Sequence, residues 1–133
     1  MNRFSISTIG SFIVLGLAMG GSPKVAADAT GMALTEADKL AVFKAAGAVQ
    51  RKGMWLMCAD EPNPGGAAIE TVRDLNGDGR PEAVVSEGGT FCYGHAGTGF
   101  QLLSQQADGS WRVMTGGSGM PEFLKTRGAG KWP

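Results

Sequence analysis

Apolar and polar positions along this chain of 133 residues change period twice. The first stretch is apolar without any period. No charged residue occurs from Phe4 to Met19, and Phe12-Ile13-Val14-Leu15-Gly16-Leu17-Ala18-Met19 forms its centre. The second stretch has a helical period. Leu40, Val42 and Phe43 form an apolar stripe that continues towards Ala46 or Gly47. Thr35 with Asp38 three residues later approximates a capping box, and Glu36 and Asp38 suit the positive end of a helix. Arg51 and Lys52 suit its last turn, and Gly53 is a stop. These signals predict a helix over Thr35–Arg51.

Beyond Gly53 the pattern is strand-like. Met54–Cys58 is a short apolar run, and Ala68–Arg73 alternates as a half-buried strand does. Asp60–Gly66 is a loop by composition. Ala83–Ser86 and Thr90–Tyr93 read as further strands, separated by a turn at Gly88-Gly89. Gly94–Gly99 reads as a flexible connection. Phe100–Gln105 and Trp111–Met114 flank Asp108-Gly109, a strong hairpin signal. Gly116–Gly119 closes that hairpin and opens a glycine-rich tail, 116–133, that ends on Trp132-Pro133. The fold class expected is α+β, one N-terminal helix followed by an antiparallel β-meander of four to six strands.

The apolar opening segment follows Arg3 and is shorter than the ~20 residues a bilayer span needs. Gly20, Gly21, Ser22 and Pro23 break it, and Val25-Ala26-Ala27 has the small-residue character of a cleavage site. Residues 1–27 are therefore expected to be a signal peptide, and 28–133 a single small domain, loose over 28–34. The expected location is periplasmic or secreted. Without Arg3 and Lys24, ten basic residues face twelve acidic ones, a net charge of about −2. No basic patch suits nucleic acid, and no later stretch is long and apolar enough for a membrane span.

A domain this small gains from a covalent or metal brace. Cys58 and Cys92 are the two cysteines, an even number that suggests a disulfide in an exported chain. Closing that loop would contribute about 3–4 kcal/mol. The rival reading leaves two buried thiols, or one reactive thiol.

The most informative stretch is Asp74-Leu75-Asn76-Gly77-Asp78-Gly79-Arg80-Pro81-Glu82. Calcium takes six to eight oxygen ligands in flexible geometry. Asp74, Asn76 and Asp78 place side-chain oxygens at alternate positions of a tight loop, and Gly79 permits a sharp turn. The Arg80 carbonyl and the Glu82 carboxylate would complete the shell. The loop is not an EF-hand, because the twelfth residue from Asp74 is Val85, where that motif needs a bidentate Glu. The competing reading is a metal-free double turn at Asn76-Gly77 and Asp78-Gly79.

Together, Val72–Gly79, Glu82–Val85, Leu102-Leu103 and Asp108–Trp111 resemble one calcium-loop repeat of the FG-GAP/VCBS type. The resemblance implies a loop joining two antiparallel strands, with calcium held by Asp74, Asn76, Asp78, Arg80 through its backbone, and Glu82. Two departures stand out. The family ends the loop with Asp where this chain has Glu82, and it stacks several blades where this chain has one. A lone blade cannot close a propeller.

Other constellations are weaker. Cys92 and His95, the single histidine, have the residue types of a nucleophilic pair. Zinc would need both cysteines as well as His95. Ser86 or Ser118 could be set beside His95, but no nucleophile elbow supports that. The glycine clusters lack a lysine at phosphate-loop spacing. Trp55, Trp111, Trp132, Phe91, Tyr93 and Phe100 read as core residues. The function expected is an exported calcium-binding domain with a structural metal loop, binding an unknown protein, glycan or envelope component. The alternatives are an inhibitor of an extracytoplasmic enzyme, with the 94–99 loop as its insertion, and a small hydrolase using Cys92 and His95.

Overall fold

The helix α1 covers Glu36–Ala45. Its start follows from the sequence. Thr35 Oγ1 accepts the Asp38 N–H at 3.1 Å, and the Asp38 carboxylate accepts the Thr35 N–H at 3.2 Å, closing the capping box. Its end comes before the expected Arg51. Gly47 adopts φ 73°, its N–H donates to the Lys44 carbonyl, and the Ala48 N–H donates to that of Phe43. This is a Schellman stop, which a glycine in the left-handed region makes at no steric cost. Val49–Arg51 is instead the strand β1, paired with β2, Met54–Leu56. Lys52 and Gly53 both have positive φ, 49° and 80°, the signs of a type I′ turn. Gly53 therefore reverses a hairpin and does not end a helix.

The computed structural model describes residues 32–125 and 132–133. The signal segment expected at 1–27 lies outside the described residues. The principal sheet runs β3 (Ala67–Arg73), β4 (Glu82–Gly88), β5 (Thr98–Gln105) and β6 (Trp111–Ser118), in that spatial order and antiparallel throughout. The protein is thus α+β, with a four-stranded meander and a separate two-stranded hairpin. β6 continues through Gly116 and Gly117, which pair with Gln101 and Phe100. Thr90–Tyr93 is not a strand but a single helical turn, α2, followed by a 3-10 turn at Gly94–Ala96. Thr98 and Gly99, expected in a flexible connection, belong to β5.

Period-two alternation sorts the sheet into two faces. One face presents Ala83, Val85, Leu103 and Trp111 to Val42 and Ala46 of α1. Leu103 is wholly buried, worth roughly 2 kcal/mol for a side chain of that size. Phe43 adds a stacked contact to Trp55, with ring centroids 5.2 Å apart. Leu40, expected in the helix stripe, is 43% exposed, because the short helix buries the Val42–Ala46 ridge instead. The other face holds Leu75, Val84 and Leu102, against which Phe123 and Trp132 pack. The Arg73 guanidinium lies 5.0 Å from the centroid of the Phe123 ring. Met32 is tied to the outer side of β3 by its N–H to the Val72 carbonyl. No helix among the described residues is long and apolar enough to cross a membrane.

Candidate functional site

The acidic loop joins β3 to β4, and its conformation is set by its own side chains. Asp74 Oδ1 accepts the N–H groups of Gly77 at 2.7 Å and Asp78 at 3.2 Å, and Oδ2 accepts that of Gly79 at 2.8 Å. Asn76 Oδ1 accepts the Asp78 N–H at 3.0 Å. Gly77 and Gly79 sit at φ 76° and 82°, so the chain turns sharply at both. The loop therefore curls round the Asp74 carboxylate.

Two of the five expected ligands stand apart. Asp78 is engaged by Arg80, with Oδ1 accepting the Arg80 N–H and Oδ2 ion-paired with Arg80 Nη2 at 2.7 Å. Arg80 also donates from Nε to the Gln105 carbonyl, which ties the loop to the end of β5. Glu82 lies at the loop's base and is wholly buried. Its Oε2 accepts the Leu75 N–H at 2.6 Å, and its Oε1 accepts the Ser104 hydroxyl at 2.7 Å and the Asn76 amide at 3.3 Å. Burial pushes the Glu82 carboxyl above its ordinary range. Hydrogen bonds from Ser104 and from the backbone at Leu75 and Asn76 pull it back, while the Asp78 charge adds to the rise.

No group of three or more His, Cys, Asp or Glu side chains among the described residues is placed to hold a metal ion. The donor set of the loop also includes the Asn76 amide and the Arg80 carbonyl. All of these are hard oxygen donors, the kind calcium takes. Asp74 Oδ2 accepts one N–H and keeps a further lone pair for a cation, whereas Asp74 Oδ1 already accepts two.

A second region was only half visible in the sequence. Cys58 and Cys92 form a disulfide with Cα atoms 6.4 Å apart, so Cys92 is not a free nucleophile. His95, three residues on, is exposed in the 3-10 turn. Two buried carboxylates hold the two cysteine segments together. Glu87 accepts the Met57 N–H at 3.1 Å and the Cys58 N–H at 2.8 Å, and takes the Tyr93 hydroxyl at 2.8 Å. Glu61 accepts the N–H groups of Phe91 and Cys92 at 3.1 and 3.3 Å. Each carboxylate thus belongs to the segment holding one cysteine and grips the segment holding the other. Burial, then the hydrogen bond and charge of Glu87, then the charge of Glu61, push the Tyr93 hydroxyl well above its ordinary range. Carboxylates beside a cysteine pair also disfavour thiolate, so this environment suits a lasting bridge better than a reactive one.

Two glycines make the clasp possible. A Cβ on Gly89 would collide with the Glu61 carboxylate, and one on Gly99 would enter the Tyr93 ring. The result is a fixed turn, residues 89–97, which holds Phe91 out with 69% of its surface exposed. Phe91 reads as core from composition, yet it is the most exposed large apolar residue of the described chain. Beside the bridge lies a groove of about 690 Å³, walled by Met57, Cys58, Asp60 and Tyr93 and floored by Gln101 and Gly116.

Sequence reasoning missed Glu61, Glu87 and Tyr93. For Glu87 a signal was present, because it continues the Ala83, Val85 alternation onto the core-facing side of β4. Glu61 and Tyr93 gave none, since both act across the fold. Comparison of the chain with protein-family models, curated proteins and solved structures yields no match.

Proposed function

We propose that this chain is an exported binding domain, braced by calcium in the Asp74–Glu82 loop and presenting the stapled 89–97 turn to a partner outside the cytoplasm. One observation carries the binding reading. Phe91 is 69% exposed, while the N–H groups of Phe91 and Cys92 are held by Glu61 and the Cys92 sulfur is bonded to Cys58. An exposed aromatic side chain carried on a fixed backbone is primed as an interface anchor, since little backbone freedom remains to be lost on binding. The disulfide fits an oxidising compartment, as does the signal-like character of residues 1–27.

The calcium reading is supported by the curl of the loop round Asp74 and by its all-oxygen donor set. On this reading Asp78 leaves Arg80 to join Asp74, Asn76, the Arg80 carbonyl and Glu82. The metal's role is structural, joining the end of β3 to the start of β4. The inhibitor alternative needs a different element from the 94–99 loop. Thr98 and Gly99 belong to β5, so deleting 94–99 would cut into the sheet.

The test has two arms. The protein is melted in EDTA and then in millimolar calcium; the proposal expects a calcium-specific rise in Tm that is absent in Asp78→Ala. A ligand that binds only the folded state at 100 times its Kd contributes about 2.7 kcal/mol. In the second arm a photo-crosslinking amino acid replaces Phe91 in the producing cell. A discrete extracytoplasmic adduct, absent when the probe is moved to exposed Lys44 on α1, is the expected result. No calcium shift removes the metal from the reading, and no adduct removes the anchor.

A further inference from the structure

We infer that the outer edge of β6 takes up an extended segment of a partner polypeptide, whose lysine or arginine side chain lies in the groove beside the disulfide. The inference deepens the binding reading above and does not depend on calcium.

The backbone argument comes first. β6 is the last strand of the sheet, and among the described residues nothing pairs with its outer side. The Gly119 N–H donates to the Thr98 carbonyl at 2.7 Å. Antiparallel pairs alternate between bonded and non-bonded. With Phe100 opposite Gly117 and Gln101 opposite Gly116, the N–H and C=O groups of Gly116 and Ser118 therefore face away from β5. Edges of this kind are normally blunted by proline, charge or a covering element. Thr115–Ser118 is exposed and carries none of the first two. The other edge strand, β3, does receive a covering bond, from Met32. An added antiparallel strand would find two outward donor and acceptor pairs at Gly116 and Ser118, the mode known as β-augmentation.

The groove supplies the choice of side chain. Gln101 and Gly116 are paired neighbours on the face that carries Val85 and Leu103, and both line the groove. A residue of the added strand opposite Gly116 would point onto that same face. Gly116 has no side chain to block it, and a Cβ there would stand 2.8 Å from the Phe100 carbonyl oxygen. The path from the added strand to β5 is about 10 Å, two strand spacings. An arginine or lysine and the Gln101 side chain reaching towards each other cover that distance. At the far end are acceptors. Among the described residues Gln101 Oε1 is buried without a hydrogen-bond partner, and Asp60 brings a carboxylate to the groove lining. No Lys, Arg or His among the described residues lines the groove. A buried acceptor left unpaired is costly, and a cationic donor placed there relieves it.

The probe is a library of random decapeptides displayed on phage, selected against the full chain and followed by titration of synthetic winners. The expected winners carry a lysine or arginine flanked by β-formers. Their affinity falls at least tenfold in Ser118→Pro, which removes an outward N–H at an edge position where proline is tolerated. It falls three- to tenfold in Asp60→Asn. If Ser118→Pro disturbs the fold by circular dichroism, the peptides carry the test instead. N-methylation at alternate peptide positions must abolish binding in one phase and spare it in the other. Winners without a basic residue, winners indifferent to the Asp60 and N-methyl changes, or no winners would overturn the inference. So would a dimer in sedimentation that Ser118→Pro disperses, since the edge would then serve a second copy of this chain. The peptide titration is read with and without EDTA, so failure of the calcium reading leaves it unaffected.

Discussion

The acidic loop and the stapled turn are each built on a buried glutamate of β4, and they use it in opposite ways. Glu82, at the strand's start, reaches the N–H of Leu75, seven residues away. Glu87, near its end, reaches those of Met57 and Cys58, thirty and twenty-nine residues away. The turn of the loop is also held locally, by the N–H groups of Gly77, Asp78 and Gly79 on Asp74, while the Arg80 bond to the Gln105 carbonyl and the Ser104 bond to Glu82 tie it to β5. The staple is not held locally, since Glu61 reaches Phe91 and Cys92 across thirty and thirty-one residues. A local device keeps most of its shape when the rest of the fold loosens. A long-range device exists only while the fold exists, and it contributes to the fold in return.

The largest expected effect separates the two regions at once. Cys58→Ser with Cys92→Ser should cost about 3–4 kcal/mol, the chain-entropy value for a loop of this size. In a domain of about 100 residues that lowers Tm by roughly 15 °C or more, as read by a thermal melt. The acidic loop should be untouched, so any calcium response should persist at temperatures where the variant is folded. Loss of the calcium response in the folded variant would show that the two regions are not independent.

Glu87→Ala comes next. It leaves the N–H groups of Met57 and Cys58 unpaired in a partly buried site, at a cost of about 2–3 kcal/mol. Glu82→Ala should cost a similar amount, because the Leu75 N–H and the Ser104 hydroxyl lose their acceptor in a buried site. What distinguishes them is coupling. Combined with removal of the disulfide, Glu87→Ala should be non-additive by more than about 0.5 kcal/mol, since both act on the Cys58 segment. Glu82→Ala should add to it within error. Denaturant titration of the double-mutant cycles measures this, and equal coupling for both glutamates would erase the distinction.

The same contrast explains what was legible in the sequence. The acidic loop could be read because its determinants are neighbours, with Asp74, Asn76, Gly77, Asp78 and Gly79 forming a turn by their own chemistry. The capping box at Thr35 and the hairpin at Asp108-Gly109 were legible for the same reason, and the latter is closed by the bond from Gly109 to Gln106. The helix end was misplaced because Gly53 and the basic pair before it mimic a stop, while Gly47 sits inside an alanine-rich stretch. Thr90–Tyr93 has strand-like composition, but Glu61 and the disulfide bend it into a helical turn. That bend depends on a residue thirty positions away, and no local pattern encodes it. The cysteine pairing was foreseeable only because two cysteines admit one bridge.

The smallest effect is the sharpest test of locality. Asp74→Asn keeps the size of the side chain and two oxygen-or-nitrogen positions, but removes the charge and half of the acceptor capacity. Its three bonds lie in an exposed loop, where water replaces a lost partner. In EDTA the variant should therefore lose no more than about 1 kcal/mol, the net worth of an ordinary hydrogen bond. In millimolar calcium the gap between variant and parent should widen by the whole calcium contribution, because Asp74 is the group round which the loop curls. The quantity to read is the difference between the two melts. A gap that is small and equal with and without calcium would make the loop a turn that holds itself. A large gap already present in EDTA would mean that the loop, like the staple, is a device of the whole fold.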